Sequence, residues 1–173
     1  MKRLMTLSLF VSLGACATTP EVFGGRGAVR EAQAVQSTAV RYLAEHFEPS
    51  EFLGKPEAIC LVVGQEVGSR DRIATALAAR SADMDPPAFM MSQLRQVRPR
   101  VLPISACQWG DDLSEVLVDS GARAIAIGIS HPLWVTPNLA RLVVTLRENN
   151  KNWYRYRCSA ERDEDGWAIR ECL

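Results

Sequence analysis

Trp153-Tyr154-Arg155-Tyr156-Arg157-Cys158-Ser159 and, beyond an acidic turn at Glu164-Asp165-Gly166, Trp167 to Cys172 form the stretch whose reading decides the fold. The first run is aromatic-rich, with Trp153, Arg155 and Arg157 on one face and Tyr154, Tyr156 and Cys158 on the other, as in a strand. Glu164-Asp165-Gly166 has the form of a three-residue hairpin loop, with glycine where positive φ is needed. That loop sets Asp163 opposite Trp167 and, counting back up the ladder, Cys158 directly opposite Cys172. The two cysteines then share a face at a separation that a disulfide can span. A two-residue Asp165-Gly166 turn is the rival: it sets Cys158 against Leu173 and leaves Cys172 on the wrong face. The cysteines select the longer loop, and a Cys158–Cys172 bond would tie down a carboxy terminus otherwise prone to fray.

Upstream, the chain reads as more of the same antiparallel meander. In Leu139 to Arg147, Leu142, Val144 and Leu146 fall on one face and Arg141, Thr145 and Arg147 on the other. In Ala122 to Ser130, Ile125, Ile127 and Ile129 alternate with Ala124, Ala126 and Gly128. Those opposite residues are small rather than polar, so something must cover that side too. Glu115 to Val118 joins this strand through Asp119-Ser120-Gly121, which suits a type I turn closed by a left-handed residue. A short helix over Asp111 to Val118 competes with that strand.

The first half is different. Ala28, Ala32, Val35, Ala39, Leu43 and Phe47 lie on a 3.6-residue stripe, widened by Val29, Val40 and Tyr42, and predict a helix from Ala28 to Phe47 stopped by Pro49. Its polar face carries both charge signs rather than a lysine belt, which favours packing on a sheet over lying on a membrane. Glu57 to Gly64 encloses the continuous apolar run of a strand covered on both faces. Asp71 to Arg80 reads as a short helix, with Ser69 or Asp71 as cap, and another opens at Asp85-Pro86-Pro87 and runs to about Gln96. Val101 to Cys107 is a strand that Pro103 assigns to an edge. Cys60 and Cys107 pair partly by elimination, closing a loop of about 47 residues worth roughly 4 kcal/mol in the chain-entropy picture. The predicted fold is α+β: a long amino-terminal helix packed on a mainly antiparallel β-meander, two short helices between the early strands, and two disulfides. One helix on a curled meander resembles the cystatin-like and nuclear-transport-factor-like cones in element order. The likeness covers the second half alone and carries over no pocket residues.

The address comes from the first residues. Lys2 and Arg3 precede an apolar run from Leu4 to Leu13, interrupted by Thr6, Ser8 and Ser12. At about a dozen residues it suits a secretory signal peptide and falls short of a bilayer-spanning helix. Leu13-Gly14-Ala15-Cys16 resembles the lipobox of bacterial lipoproteins. The resemblance implies a signal peptide over residues 1–15, a diacylglycerol on Cys16, cleavage just before it and acylation of the new terminus. Ala17 stands where that family's inner-membrane proteins carry aspartate, which points to the periplasmic face of the outer membrane. Residues 16–27 read as a flexible tether and 28–173 as one α+β domain. Four cysteines after Cys16 in an exported chain read as two disulfides, since no pair has close zinc-ligand spacing. With Lys2 and Arg3 removed, the mature chain is slightly acidic, giving no basic field for nucleic acid.

No catalytic, metal or cofactor motif emerges. His46 sits at a helix end, where it complements the dipole. His131 follows Ser130 in sequence, and neighbours on a strand point opposite ways, so the two make no catalytic pair. Gly64 to Ser69 lies between strand and helix but has neither dinucleotide nor P-loop spacing. Trp153, Arg155 and Arg157 share one strand face, which either meets polyanions, sugars or peptide or is simply solvated. Leu133, Trp134 and Val135, between Pro132 and Pro137, either form a contact surface or fold back over the alanine face of the neighbouring strand. The expectation is a non-enzymatic envelope lipoprotein without cofactor that binds, scaffolds or assembles, held to the membrane through Cys16 and open to an envelope protein partner. A carrier with a hydrophobic pocket between helix and sheet, and a hydrolase, are the alternatives.

Overall fold

The computed structural model describes residues 26–50, 54–64, 70–110 and 115–173. The predicted signal peptide, Cys16, most of the tether, the Gln65–Ser69 part of the strand–helix turn, Ser69 as a cap and the first half of the competing helix at Asp111 lie outside them, as does the Asp71 side chain.

Nine strands form one curled mixed sheet among the described residues. Along the chain come α1 (Arg26–His46), β1 (Ala58–Val63), α2 (Arg70–Ala79), α3 (Ala88–Gln93), β2 (Arg100–Pro103), β3 (Cys107–Trp109), β4 (Val116–Val118), β5 (Arg123–Ile129), β6 (Leu133–Thr136), β7 (Leu139–Arg147), β8 (Trp153–Asp163) and β9 (Gly166–Cys172). The main order is β2-β1-β5-β7-β8-β9; β4 joins β5 and β3, and β6 joins β7.

The mainly antiparallel expectation needs correction at one end. β1 lies between β2 and β5 and runs parallel to both. The cause is connection length: β1 reaches β2 through α2 and α3, a crossover long enough to return the chain in the same direction. A meander assumption carried back from the second half misses this, and it also separates the sheet from the cone likeness. The two short helices do stand between β1 and β2.

The sheet is sandwiched unevenly. On one face, Val35, Ala39, Val40 and Leu43 of α1 and Met90 and Leu94 of α3 pack on Ile59, Leu61, Ile125, Ile127, Ile129, Leu142, Val144 and Leu146, all buried. Val29, placed on the apolar stripe from sequence, faces solvent instead. On the other face, Ile73, Ala76 and Leu77 of α2, with Ile104, Cys107, Val116 and Val118, cover Ala58, Cys60, Val62, Ala124 and Ala126. The small residues of β5 are thus small because a second layer sits on them, and the Cys60–Cys107 disulfide joins that layer to β1.

Further corrections are local. Val101 to Cys107 is not one strand: at Pro103 the chain leaves the ladder into a 3-10 turn, Ile104–Ala106, before β3. α3 stops at Gln93, and Asp85 does not cap it. The Asp85 carboxylate accepts the Ser105 N–H at 3.0 Å and the Ser105 hydroxyl at 2.7 Å. Thr145 and Arg147, on the face opposite Leu142, Val144 and Leu146, are buried as well. Trp109 of β3 reaches over β7, and the Arg147 guanidinium stacks on its ring at 4.7 Å. Residues 133–136 are not a loop but β6, pairing with β7.

The last hairpin holds the Cys158–Cys172 disulfide, with Cα atoms 4.1 Å apart. The route to that pairing differs from the one expected. Asp163 faces Gly166 across a two-residue Glu164-Asp165 turn, and Arg162 faces Trp167. The register then shifts between Ala160↔Ile169 and Ser159↔Glu171, leaving Arg170 as the extra residue of a β-bulge. Parity demands it. Trp167, Ile169 and Cys172 all pack on the α1 side, and strict alternation cannot turn residues 169 and 172 to the same face. The turn holds itself locally, since the Asp163 carboxylate accepts the Asp165 N–H at 3.0 Å.

Candidate functional site

The covering layer of α2, β3 and β4 ends at Trp109 over Arg147. Beyond that line, no described residue covers the same face of β7, β8 and β9. A groove of about 710 Å³ lies there, lined among others by Leu133, Arg141, Val143, Arg155, Arg157 and Leu173. Strand alternation explains the set. Residues 155, 157 and 159 of β8 point away from α1, and the register places Arg155 opposite Thr145, Arg157 opposite Val143, and Ser159 opposite Arg141. β6 adds Leu133 beside Arg141.

The charges here are unbalanced. Elsewhere on the surface Arg80 pairs with Asp119, Arg162 with Glu31 at 3.1 Å, and Arg170 with Glu161 at 2.7 Å. Among the described residues Arg141, Arg155 and Arg157 have neither ion-pair nor side-chain hydrogen-bond partners. Among the described acidic side chains, Glu171 lines the groove, opposite Ser159 on β9 and two strands from Arg141, while the Leu173 backbone oxygen accepts the Arg157 N–H at 2.7 Å. Farther down β8, Glu161 and Asp163 are balanced by Arg170. Guanidiniums presented without intramolecular partners are open to carboxylate or phosphate, which they can grip in bidentate fashion.

The sequence-predicted surface residues therefore separate. Arg155 and Arg157 lie in the groove; Trp153 precedes them on the same strand face, opposite Arg147, and is 38 % exposed. Trp134 does not belong. It points to the α1 side, packing against that core and standing 5.5 Å from the Trp167 ring. Neither the loop over the alanine face nor an exposed Trp134 is what forms; its neighbours Leu133 and Val135, 70 % and 47 % exposed, present the apolar surface. Arg141, which the sequence places on the β7 face opposite Leu142, Val144 and Leu146 without marking it as a site residue, joins this set through the β7–β8 pairing. The signal available was its own registration against Ser159.

The histidines do not converge. The His46 ring nitrogen Nδ1 meets the Tyr42 carbonyl at 2.8 Å in the last turn of α1. His131 lines the groove, while the Ser130 hydroxyl beside it accepts the Val143 N–H at 2.9 Å and donates to the His131 carbonyl at 3.0 Å, away from the imidazole.

A second polar site is internal. Glu148 is fully buried; its carboxylate accepts the Ser50 N–H at 2.9 Å and stands 4.0 Å from the Arg123 guanidinium. Tyr154 is held above the ordinary tyrosine pKa by burial first, then by the charge of Glu148. Tyr156 is raised by burial, then by Tyr154 and Glu148. A pocket of about 460 Å³ at the carboxy-terminal end of α1 is lined by Leu43, Phe47, Ile59 and Ile125, with Lys55 and Arg98. No group of three or more metal-ligating side chains occurs among the described residues. No protein-family model, curated protein or solved structure matches this chain.

Proposed function

We propose that this protein is a membrane-anchored envelope lipoprotein, held through lipid on Cys16, that works as a non-enzymatic binding or assembly component. The observation that carries the reading is the half-face of β7 and β8 that no described residue covers, with three arginines that no described side chain pairs. A fold gains nothing in stability from unpaired like charges set side by side, so their placement supports recognition of an anionic partner. Two disulfides support export to an oxidising compartment, in keeping with the leader, and with Ala17 after the cysteine the anchor is assigned to the periplasmic face of the outer membrane. Two tests separate the parts. Mass spectrometry of the membrane-extracted chain is expected to find acylated Cys16 as first residue, and Cys16→Ser to release the protein or block processing; an unmodified chain starting elsewhere would overturn the anchor. A photo-crosslinking residue at Val143 is expected to form an adduct in intact cells that the same residue at Lys151 does not, and equal labelling from both would overturn the recognition face.

A carrier of a small hydrophobic ligand is the second reading. It is favoured by the 460 Å³ pocket, where Leu43, Phe47, Ile59 and Ile125 meet Lys55 and Arg98, a lining suited to an acyl chain with a carboxylate. Saturable binding of a fluorescent fatty acid, lost in Ile125→Glu but kept in Arg157→Gln, is its test.

A further inference from the structure

We infer that this face of β7 and β8 binds an extended acidic segment of a partner protein, with carboxylates at alternate positions. This deepens the recognition reading above and rests on it. Arg155 and Arg157 stand two residues apart on β8, about 6.8 Å. The next place on that face of β8 is Ser159, and Arg141 lies directly across from it on β7. The three guanidiniums therefore form a stepped row with the repeat of a β-strand. An extended peptide repeats its own side chains at the same interval, so Glu or Asp at i, i+2 and i+4 meets one arginine each.

The surroundings narrow the partner further. Val143 stands opposite Arg157, between Arg141 and the core of the row, and Leu133 and Leu173 line the groove beside it. Leu133 and Leu173 are exposed, 70 % and 79 %, and offer apolar contact to the stems of a bound segment's side chains. Glu171 lies on the β9 side of Ser159, where it repels an acidic chain that strays across the sheet and confines it to the β7–β8 track. Glu161 and Asp163, with Arg170 across from them, end the cationic row along β8. A flat anionic surface would meet that acidic stretch and Glu171 together with the arginines, whereas a single strand avoids them. That favours a peptide over a lipid surface.

The test uses the full chain as extracted from the envelope, in neutral detergent micelles. The probes are two fluorescein-labelled peptides of identical composition, Glu-Thr-Glu-Thr-Glu and Glu-Glu-Glu-Thr-Thr, followed by fluorescence anisotropy. The alternating peptide is expected to bind at least about fivefold more tightly, and to weaken as NaCl rises from 50 to 500 mM, roughly the range over which surface charges become screened. Arg141→Gln/Arg155→Gln/Arg157→Gln is expected to lower its affinity at least about tenfold with an unchanged melting temperature, since all three side chains are outside the core. Arg155→Lys/Arg157→Lys keeps the charge but removes the fork, and is expected to fall in between. Equal binding of the two peptides, or binding that survives the triple substitution, would overturn the proposal. So would arginine-dependent binding of dioctanoyl-phosphatidylglycerol in preference to the alternating peptide, which would assign the face to lipid headgroups. The mass of Cys16 in the same preparation tests the anchor separately, so failure of the lipid reading leaves the peptide result standing.

Discussion

Deleting Arg170 is expected to leave the Cys158–Cys172 disulfide intact. Arg170 is the residue with no partner on β8, lying between Ile169, opposite Ala160, and Glu171, opposite Ser159. Without it the ladder becomes regular: Ile169 still faces α1, Glu171 still faces the groove, and Cys172 still meets Cys158. What is lost is the Arg170 ion pair with Glu161 at 2.7 Å, whose side chains are about half exposed, a contact worth roughly 0–1 kcal/mol. Had the hairpin kept one uniform register through a three-residue loop, the same deletion would move Cys172 off the face of Cys158. It would then forfeit a bond that closes a 14-residue separation, about 3 kcal/mol. The two outcomes differ by roughly 6–12 °C in melting temperature for a domain of this size. Thiol titration of the denatured, unreduced deletion variant gives the direct answer, with thermal unfolding beside it. Two new thiols and a melting temperature lowered by that amount would refute the bulge assignment.

Glu148→Ala should cost about 3 kcal/mol in urea unfolding, because it removes the buried acceptor of the Ser50 N–H and the negative charge 4.0 Å from the Arg123 guanidinium; a loss below about 1 kcal/mol would show that the carboxylate is not an anchor for the end of α1. In spectrophotometric titration Tyr154 and Tyr156 should ionise above the ordinary tyrosine value of about 10. Since the folded state then retains protons that the unfolded state has released, stability should fall as pH climbs past about 10, and Glu148→Gln should bring the Tyr154 titration back toward the ordinary value; a titration that Glu148→Gln leaves unmoved would remove that carboxylate as a cause. Gly121→Ala should destabilise by about 1 kcal/mol, as Gly121 holds φ +80° in the turn before β5. A neutral effect there would mean that the turn relaxes into another type.

Sequence alone determined the features that rest on local chemistry. The apolar stripe of α1 fixed which side of it meets the sheet through Val35, Ala39 and Leu43. The small residues of β5 announced a covering layer on the second face, and Gly121 announced its turn. The cysteine pairs also came from sequence, but the last one arrived through compensating errors: the loop is one residue shorter than expected, and the Arg170 bulge restores the parity. Tertiary structure decided whatever depends on which strands become neighbours. The direction of β1 against β2 and β5 follows from a crossover through two helices, and no single strand's pattern records it. Arg147 is buried because Trp109, far away in sequence, lies across it. Arg141, Arg155 and Arg157 are ordinary surface residues one by one. They become a row only when β7 pairs with β8 in one register and the layer over the sheet stops short of them, since side-chain alternation fixes a face but not what will cover it.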